Sequence, residues 1–519
     1  MNRLPALDSP VALAAVLLVA AAYLLGSIEE PGSPVRGGAL QVILISLDTL
    51  RQDHLSLYGY PRPTTPNLER LAKRSAVFTN AMAQAPYTLP SHMSMLTGLY
   101  PGAHNVRLYE DTLDESFVTL AETLRDAGFR TQAFTDGGFM NGRFGFAQGF
   151  ESYEDRRAPG GQQSNGFRRY GLQVRRWVVE NRDEPFFLFV HSFDNHGPYF
   201  VEPEYQRALA STRPVLPEGA KKVGDPMEYM RALGIHDYFQ LEQYDSLEEM
   251  VDHYDATIRY VDDKVGELVG LLNSLDLFDS SLIIVTSDHG EAFLDHGIYT
   301  GHGLTLYEEE VRVPLLIKFP GGQFAGVRSD AVVRLIDLFP TVTSATRTHC
   351  PREVQGVDLA LALAGRDRES RVAFGENPHL SRTEEGRIVE PSCYVRRGDR
   401  KYIDPPLRDL LFHLDEPAAG EEAYDWERDP LGLMGRLPTE PEVYDLAADS
   451  GEQHPKRPLD PRVLKRLRWL LKARLERDGL ILRSHGDRSA GNRALSDEEI
   501  KVLMQQGYLG GELPRKQDH

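Results

Sequence analysis

Three uniformly apolar, β-branched runs lie far apart in this chain, and each ends on aspartate or histidine: Val42-Ile-Leu-Ile-Ser-Leu-Asp48, Phe186-Phe-Leu-Phe-Val-His191 and Leu282-Ile-Ile-Val-Thr-Ser-Asp288-His289. Runs this short and this evenly apolar suit strands of a parallel sheet covered on both faces by helices. In open α/β sheets, ligands bind beyond the carboxyl ends of the strands. Asp48, His191 with His196 beyond it, and the Asp288-His289 pair should therefore point into one crevice. Together they read as a single metal site.

Strand candidates at 42–46, 131–134, 186–191, 282–286 and 313–319 alternate with helical stretches Asn67–Ser75, Ser116–Ala127 and Met250–Leu275. That alternation predicts a doubly wound, mostly parallel sheet, and 519 residues leave room for a smaller domain as well. The polar, irregular Ala208–Tyr244 insertion is expected to shape or cover the cleft. Past Cys350 the texture changes. Short strand candidates (Tyr394–Arg397, Lys401–Ile403, Leu410–His413) among Pro, Gly and acidic residues predict a small antiparallel sheet. Val463, Leu464, Leu467, Leu470 and Leu471 make Pro461–Arg483 one amphipathic helix, whose basic face reads as solvated. Ser496-Asp-Glu-Glu499 is a capping box opening a short last helix. The expected organisation is an anchor or signal at 1–28, a linker at 29–38, a catalytic domain at 39–350, a carboxy-terminal subdomain at 351–460, and helices with a tail at 461–519.

A net charge of −19 argues against nucleic acid as a partner, since phosphate backbones need a basic face. Cys350 and Cys393, the only cysteines, read as buried thiols rather than a pair, and no Cys/His spacing suggests a zinc module. Val11 to Leu25 is almost wholly apolar and reaches Ile28 if Gly26 and Ser27 are counted. That is just enough for a membrane-spanning helix, which needs about 20 residues. Arg3 before it places the amino terminus inside and the rest of the chain outside. A cleaved signal peptide is the alternative, with Ala20-Ala21-Ala22 offering small residues. Either way the catalytic part is exported, and the expectation is a single-pass cell-membrane protein with an extracytoplasmic (periplasmic or extracellular) domain.

Ala85-Pro-Tyr-Thr88-Leu-Pro90-Ser91-His92 leads into Met93-Ser-Met-Leu-Thr-Gly98. Pro90 fits the first turn of a helix and Gly98 its end, so Thr88 lies at or just before a helix amino terminus. Unpaired N–H groups and the positive end of the helix dipole favour an anion there. A hydroxyl so placed can attack phosphorus or sulfur if a metal lowers its pKa. Alternatively, Thr88 or Ser91 is simply a helix cap.

These segments, taken in order, resemble the sulfatases and more broadly the alkaline phosphatase superfamily, over roughly residues 40–455. Leu47-Asp-Thr-Leu-Arg-Gln-Asp-His54 is similar to the first metal-ligand strand end. Thr88-Leu-Pro-Ser-His92 with Leu96-Thr-Gly-Leu-Tyr-Pro101 resembles the nucleophile motif, cysteine-x-Pro-Ser-Arg, and its helix. His191-Ser-Phe-Asp-Asn-His196-Gly-Pro-Tyr199 resembles the substrate-histidine segment, and Thr286-Ser-Asp288-His289-Gly-Glu291 the second metal loop. Gly301-His302-Gly, Leu306-Tyr-Glu and Arg312-Val-Pro-Leu-Leu-Ile-Lys318 match the next strand, and Glu442-Val-Tyr-Asp-Leu446 through Gly451-Glu452 the carboxy-terminal subdomain. The resemblance implies an alkaline-phosphatase-like α/β/α sandwich with a smaller antiparallel-sheet subdomain.

The departures bear on chemistry. Sulfatases oxidise a cysteine or serine to formylglycine, and Thr88 stands at that position. Oxidised threonine would be a ketone, so formylglycine is not expected. His92 replaces the motif arginine, and Asp136-Gly137-Gly138 stands where the family has lysine-tryptophan-histidine. Superfamily members with a threonine nucleophile handle phosphodiesters and membrane phosphoglycerol or phosphoethanolamine groups. They hold one metal with an acidic residue, the threonine, an aspartate and a histidine. Asp48, Thr88, Asp288 and His289 reproduce that set. The ion would be one divalent cation, and oxygen-rich ligation with one imidazole admits Ca, Mn, Zn or Mg. The resemblance implies an anionic ester substrate, with phosphate mono- or diesters favoured over sulfate and a phosphothreonine formed on Thr88. His196 and His302 would stabilise charge with His191 in support, one of them protonating the leaving oxygen; a second metal would take His196 and His302 as its first ligands. Two other readings remain: a membrane-anchored phosphotransferase moving lipid head groups, and a non-catalytic sulfatase-like binding protein.

Overall fold

The run from Gln41 to Leu47 is buried at every residue, which only the middle of a sheet covered on both faces permits. The computed structural model describes residues 40–155, 166–222, 225–228, 243–297, 300–365, 371–377, 392–404, 440–456 and 461–485. Its strands in chain order begin with β1 (Gln41–Leu47), β2 (Ala76–Met82), β3 (Arg130–Phe134), β4 (Ser152–Glu154), β5 (Phe186–Ser192) and β6 (Leu282–Thr286). A short pair, β7 (Ala292–Phe293) and β8 (Thr300–Gly301), precedes β9 (Arg312–Lys318) and β10 (Arg328–Arg334). The main sheet has the order β10-β2-β9-β6-β1-β5-β3-β4. β9 runs antiparallel to both its neighbours, and every other pairing is parallel. The sheet is therefore mixed, with one reversed strand.

Alternate residues of β1 enter different cores. Ile43, Ile45 and Leu47 pack with Met250, Tyr254, Ile258 and Val261 of the Leu247–Ser274 helix. Val42 and Leu44 join Leu89, Met93 and Leu96 of the Thr88–Thr97 helix and Leu120 and Leu124 of the Leu120–Asp126 helix. This is the three-layer α/β/α arrangement. Register then places the chemistry: Ser46 pairs with His191 on one side and Thr286 on the other. The residues just beyond Leu47 and Thr286 thus emerge beside His191.

The second sheet, β11 (Val372–Asn377), β12 (Ser392–Arg397), β13 (Arg400–Asp404) and β14 (Glu442–Asp445), is antiparallel throughout. The Pro461–Ser484 helix packs its Leu467 and Leu471 against this sheet's residues Val395, Tyr402 and Val443. Cys350 and Cys393 are both free thiols. The expected strand Leu410–His413, the capping box at Ser496, the apolar Val11–Leu25 segment and residues 223–224 and 229–242 of the insertion lie outside the described residues. Among the described residues, no helix is long and apolar enough to cross a membrane.

Candidate functional site

At the carboxyl end of β1 the backbone turns at once, with Thr49 at φ 55°, a conformation a β-branched residue rarely adopts. Two bonds hold the turn against the end of β5: Asp48 N–H donates to the Ser192 carbonyl (2.9 Å) and Thr49 Oγ1 to the Asn195 carbonyl (3.0 Å). Tyr254 on the long helix braces it further, donating to the Thr49 carbonyl at 2.7 Å and accepting from Arg51 N at 2.8 Å. The end of β6 is tied in by Ser287, which accepts from Leu50 N (3.0 Å) and donates to the His289 carbonyl (2.6 Å). Ser91 of the Thr88–Thr97 helix donates to the Asp288 carbonyl at 2.7 Å.

Those braces bring Asp48, Asp288 and His289 together, with one ligand atom from each within 4.8 Å of the others. All three are fully buried. His289 Nδ1 donates to the Gly290 carbonyl (2.8 Å), so in the neutral ring Nε2 carries the lone pair. That nitrogen lies 3.8 Å from Asp48 Oδ1 and 3.3 Å from Asp288 Oδ2. Both oxygens are buried without a hydrogen-bond partner among the described residues. Three lone-pair donors facing one another in a dry pocket repel unless a cation lies between them. Burial pushes the Asp48 carboxyl up to about 7 despite the pull of His289, and that of Glu291 up to about 8. A bound cation would draw both back toward the usual carboxylate range. The donor set therefore fits a divalent ion.

Thr88 is the first residue of the Thr88–Thr97 helix, entered from an extended Tyr87, and Gly98 closes the helix at φ 69°. Its Oγ1 lies 3.5 Å from Asp48 Oδ2 and 3.3 Å from His289 Nε2. His191 Nε2 donates to the same Asp48 oxygen at 2.9 Å, so this histidine orients the carboxylate from below. His302 and His196 complete the cluster: the His302 ring centroid is 4.5 Å from that of His289 and 4.9 Å from that of His196. His196 stacks on Phe193 and donates from Nδ1 to the Gly197 carbonyl (2.9 Å). Burial pulls His302 down to about 4.

The other two departures from the family pattern, at His92 and Asp136, have structural roles. His92 donates from Nδ1 to the Thr88 carbonyl (3.0 Å) and accepts at Nε2 from Ser46 Oγ (2.9 Å). Burial outweighs the nearby Asp288 and holds it down to about 3, so it brings no positive charge where the family has arginine. Asp136 accepts from Gly166 N (2.8 Å) and Phe193 N (2.9 Å), anchoring the turn that carries His196.

Sequence reasoning singled out neither Glu291 nor Tyr199 as a site residue. Glu291 Oε1 accepts from His302 Nδ1 (2.9 Å) and Oε2 from the Tyr199 hydroxyl (3.0 Å). Both lay inside segments already recognised as motif, and a carboxylate so close to a metal-ligand pair was the available signal.

The family model described as Sulfatase matches residues 41–348. This chain belongs to the sulfatase family. An ulvan-active sulfatase of Formosa agariphila is 24% identical over 368 residues, covering 66% of this chain and 67% of its own. The choline-sulfatase of Rhizobium meliloti is 26% identical over 425 residues, 71% of this chain and 76% of its own. Among solved structures, the phosphonate monoester hydrolase of Agrobacterium radiobacter shares the fold with a TM-score of 0.64 at 21% identity, over 88% of this chain and 98% of that one. The protein is a sulfuric or phosphoric ester hydrolase, its site fits an anionic ester, and enzymes of its family use a divalent metal.

Proposed function

We propose that this sulfatase-family member cleaves phosphate mono- or diesters with Thr88 as the nucleophile. The observation that carries the reading is Thr88 Oγ1 at a helix amino terminus, 3.5 Å from Asp48 Oδ2 and 3.3 Å from His289 Nε2. Asp48, Asp288 and His289 would hold a divalent cation, whose charge would acidify the Thr88 hydroxyl and offset the substrate anion; Ca, Mn, Zn and Mg all suit the donors. Asp48 Oδ2, 3.5 Å away, takes the Thr88 proton. The Oγ–P bond forms as the P–O bond to the leaving group breaks, and His302 or His196, held as the imidazolium by the charge of the bound ester, hands that oxygen its Nε2 proton. Water then gives a proton to that histidine as its oxygen attacks phosphorus, the Oγ–P bond breaks, and Thr88 regains its proton from Asp48.

Two further features bear on the substrate. A secondary alcohol cannot give the aldehyde hydrate that expels sulfate. His92 and Asp136 stand where the family has cationic groups, and both are held by hydrogen bonds to the backbone, so a singly charged diester is favoured over a doubly charged phosphate monoester. The Val11–Leu25 segment behind Arg3 supports a location outside the cytoplasm, tethered to the membrane. The test is a panel of para-nitrophenyl esters (sulfate, phosphate, bis-phosphate and phenylphosphonate) with each of the four metals. Phosphate diesters should turn over fastest; a strong preference for the aryl sulfate would overturn the reading.

A further inference from the structure

His302 sits in a turn whose flanking glycines both need positive φ, Gly301 at 127° and Gly303 at 89°. The turn is clamped on its far side: Gly303 N donates to Glu310 Oε2 (2.7 Å), and Asn377 Nδ2 donates to the Gly303 carbonyl (2.8 Å). A held backbone still leaves the ring two torsions. The ring itself is fixed by Glu291, a fully buried carboxylate from the loop after β6 that takes His302 Nδ1–H on one oxygen and the Tyr199 hydroxyl on the other. The Glu291 carbonyl accepts from buried Arg51, so its backbone is pinned too.

From this geometry we infer that Glu291 is the positioning residue of the ester-cleaving step, holding His302 through Nδ1 so that Nε2 is the nitrogen presented to the ester. With the charge of the bound ester offsetting the burial that otherwise keeps the ring neutral, the imidazolium so oriented gives its Nε2 proton to the leaving-group oxygen as the P–O bond breaks and is left neutral with Nδ1–H still on Glu291. Tyr199 serves the same end one bond further out, by fixing which Glu291 oxygen faces the ring. The buried pair behaves as carboxylate–histidine pairs generally do, setting ring angle and tautomer together. The inference rests on the phosphoester reading, in which the leaving-group oxygen takes a proton as the P–O bond breaks.

The test is a mutant cycle on the metal-loaded full chain, using phenyl and para-nitrophenyl phosphodiesters. Glu291→Gln keeps the side chain's size and should lower kcat about 10- to 100-fold with little change in KM, and more for the poorer phenyl leaving group. His302→Ala should lose at least as much, and the double variant should be no slower than His302→Ala alone, as expected of residues acting as one unit. Tyr199→Phe, which deletes only the outer hydrogen bond, should show the same leaving-group dependence on a smaller scale, and it decides the matter if Glu291→Gln does not fold. Bound metal per chain should be unchanged in all three. Losses that multiply in the double variant, losses equal for both leaving groups, or loss of metal from Glu291→Gln would each overturn the inference. A fully active Thr88→Ala would instead sink the phosphoester reading on which it stands.

Discussion

Thr88 stands where the sulfatases have the cysteine or serine that becomes formylglycine, and its secondary alcohol would oxidise to a ketone rather than that aldehyde; the proposed chemistry turns on this difference. Beside Thr88, Asp48 Oδ1, Asp288 Oδ2 and His289 Nε2 face one another inside a buried cluster, an arrangement that repels unless a cation lies between them. Asp288→Asn preserves shape and removes the charge that needs a cation. It should cut bound divalent metal by about 10- to 100-fold in affinity, with turnover falling alongside, as read by metal analysis after dialysis and by diester assay. Away from the site, His296 donates from Nδ1 to Glu309 at 2.8 Å and stacks on Tyr307. Burial alone would lower its pKa, but Glu309, Glu452 and Asp295 outweigh it and raise it from an ordinary 6.5 to about 9. The stabilisation is complete below 6.5, where folded and unfolded chains both carry the proton, and it is lost as pH rises through about 9. His296→Gln should therefore be less stable than wild type by on the order of 2 kcal/mol at mildly acid pH, with the gap closing in denaturant titrations at alkaline pH.

At the scale of elements, what could be read from sequence was what is buried on both faces. β1, β5 and β6 are continuous apolar runs and were legible within a residue or two at each end. β2 was not, because Thr79 and Asn80 interrupt its apolar run at a register shift opposite β9, with Arg312 bonded to the Thr79 carbonyl. β10 opens on the polar Arg328-Ser-Asp, of which Arg328 and Asp330 are exposed, and hides likewise. In the site, Asp48, Thr88, Asp288 and His289 were legible because each adjoins a strand end or helix start. The Glu291–His302 contact was not, because it depends on how two loops fold back on each other. Helix starts follow local rules more closely: the helix expected from Ser116 begins at Leu120, where Thr119 accepts from Glu122 N and Glu122 reaches back to Thr119 N. Thr119→Ala should cost about 1 kcal/mol and lower the melting temperature with no effect on metal binding.

At the scale of the whole molecule, the second sheet and the last described helix are joined to the catalytic layer by buried charge. Arg474 on the Pro461–Ser484 helix pairs with Glu376 of β11 (2.6 Å) and with Asp478, while Arg107, in the loop after the short Pro101–His104 helix, reaches Glu376 from the other side at 3.1 Å. Arg474→Ala would strand two buried carboxylates, with Arg107 left to compensate in part. The expected loss is about 3 kcal/mol, seen as a shift in the unfolding midpoint. The central claim is tested most directly by rapid quench during turnover of a phosphodiester, followed by intact-protein mass spectrometry and peptide mapping. The wild-type chain should carry an adduct the mass of the transferred phosphoryl group on Thr88, and Thr88→Ala should carry none while still binding metal and losing nearly all turnover. Full activity in Thr88→Ala, or an adduct on any other residue, would contradict the account.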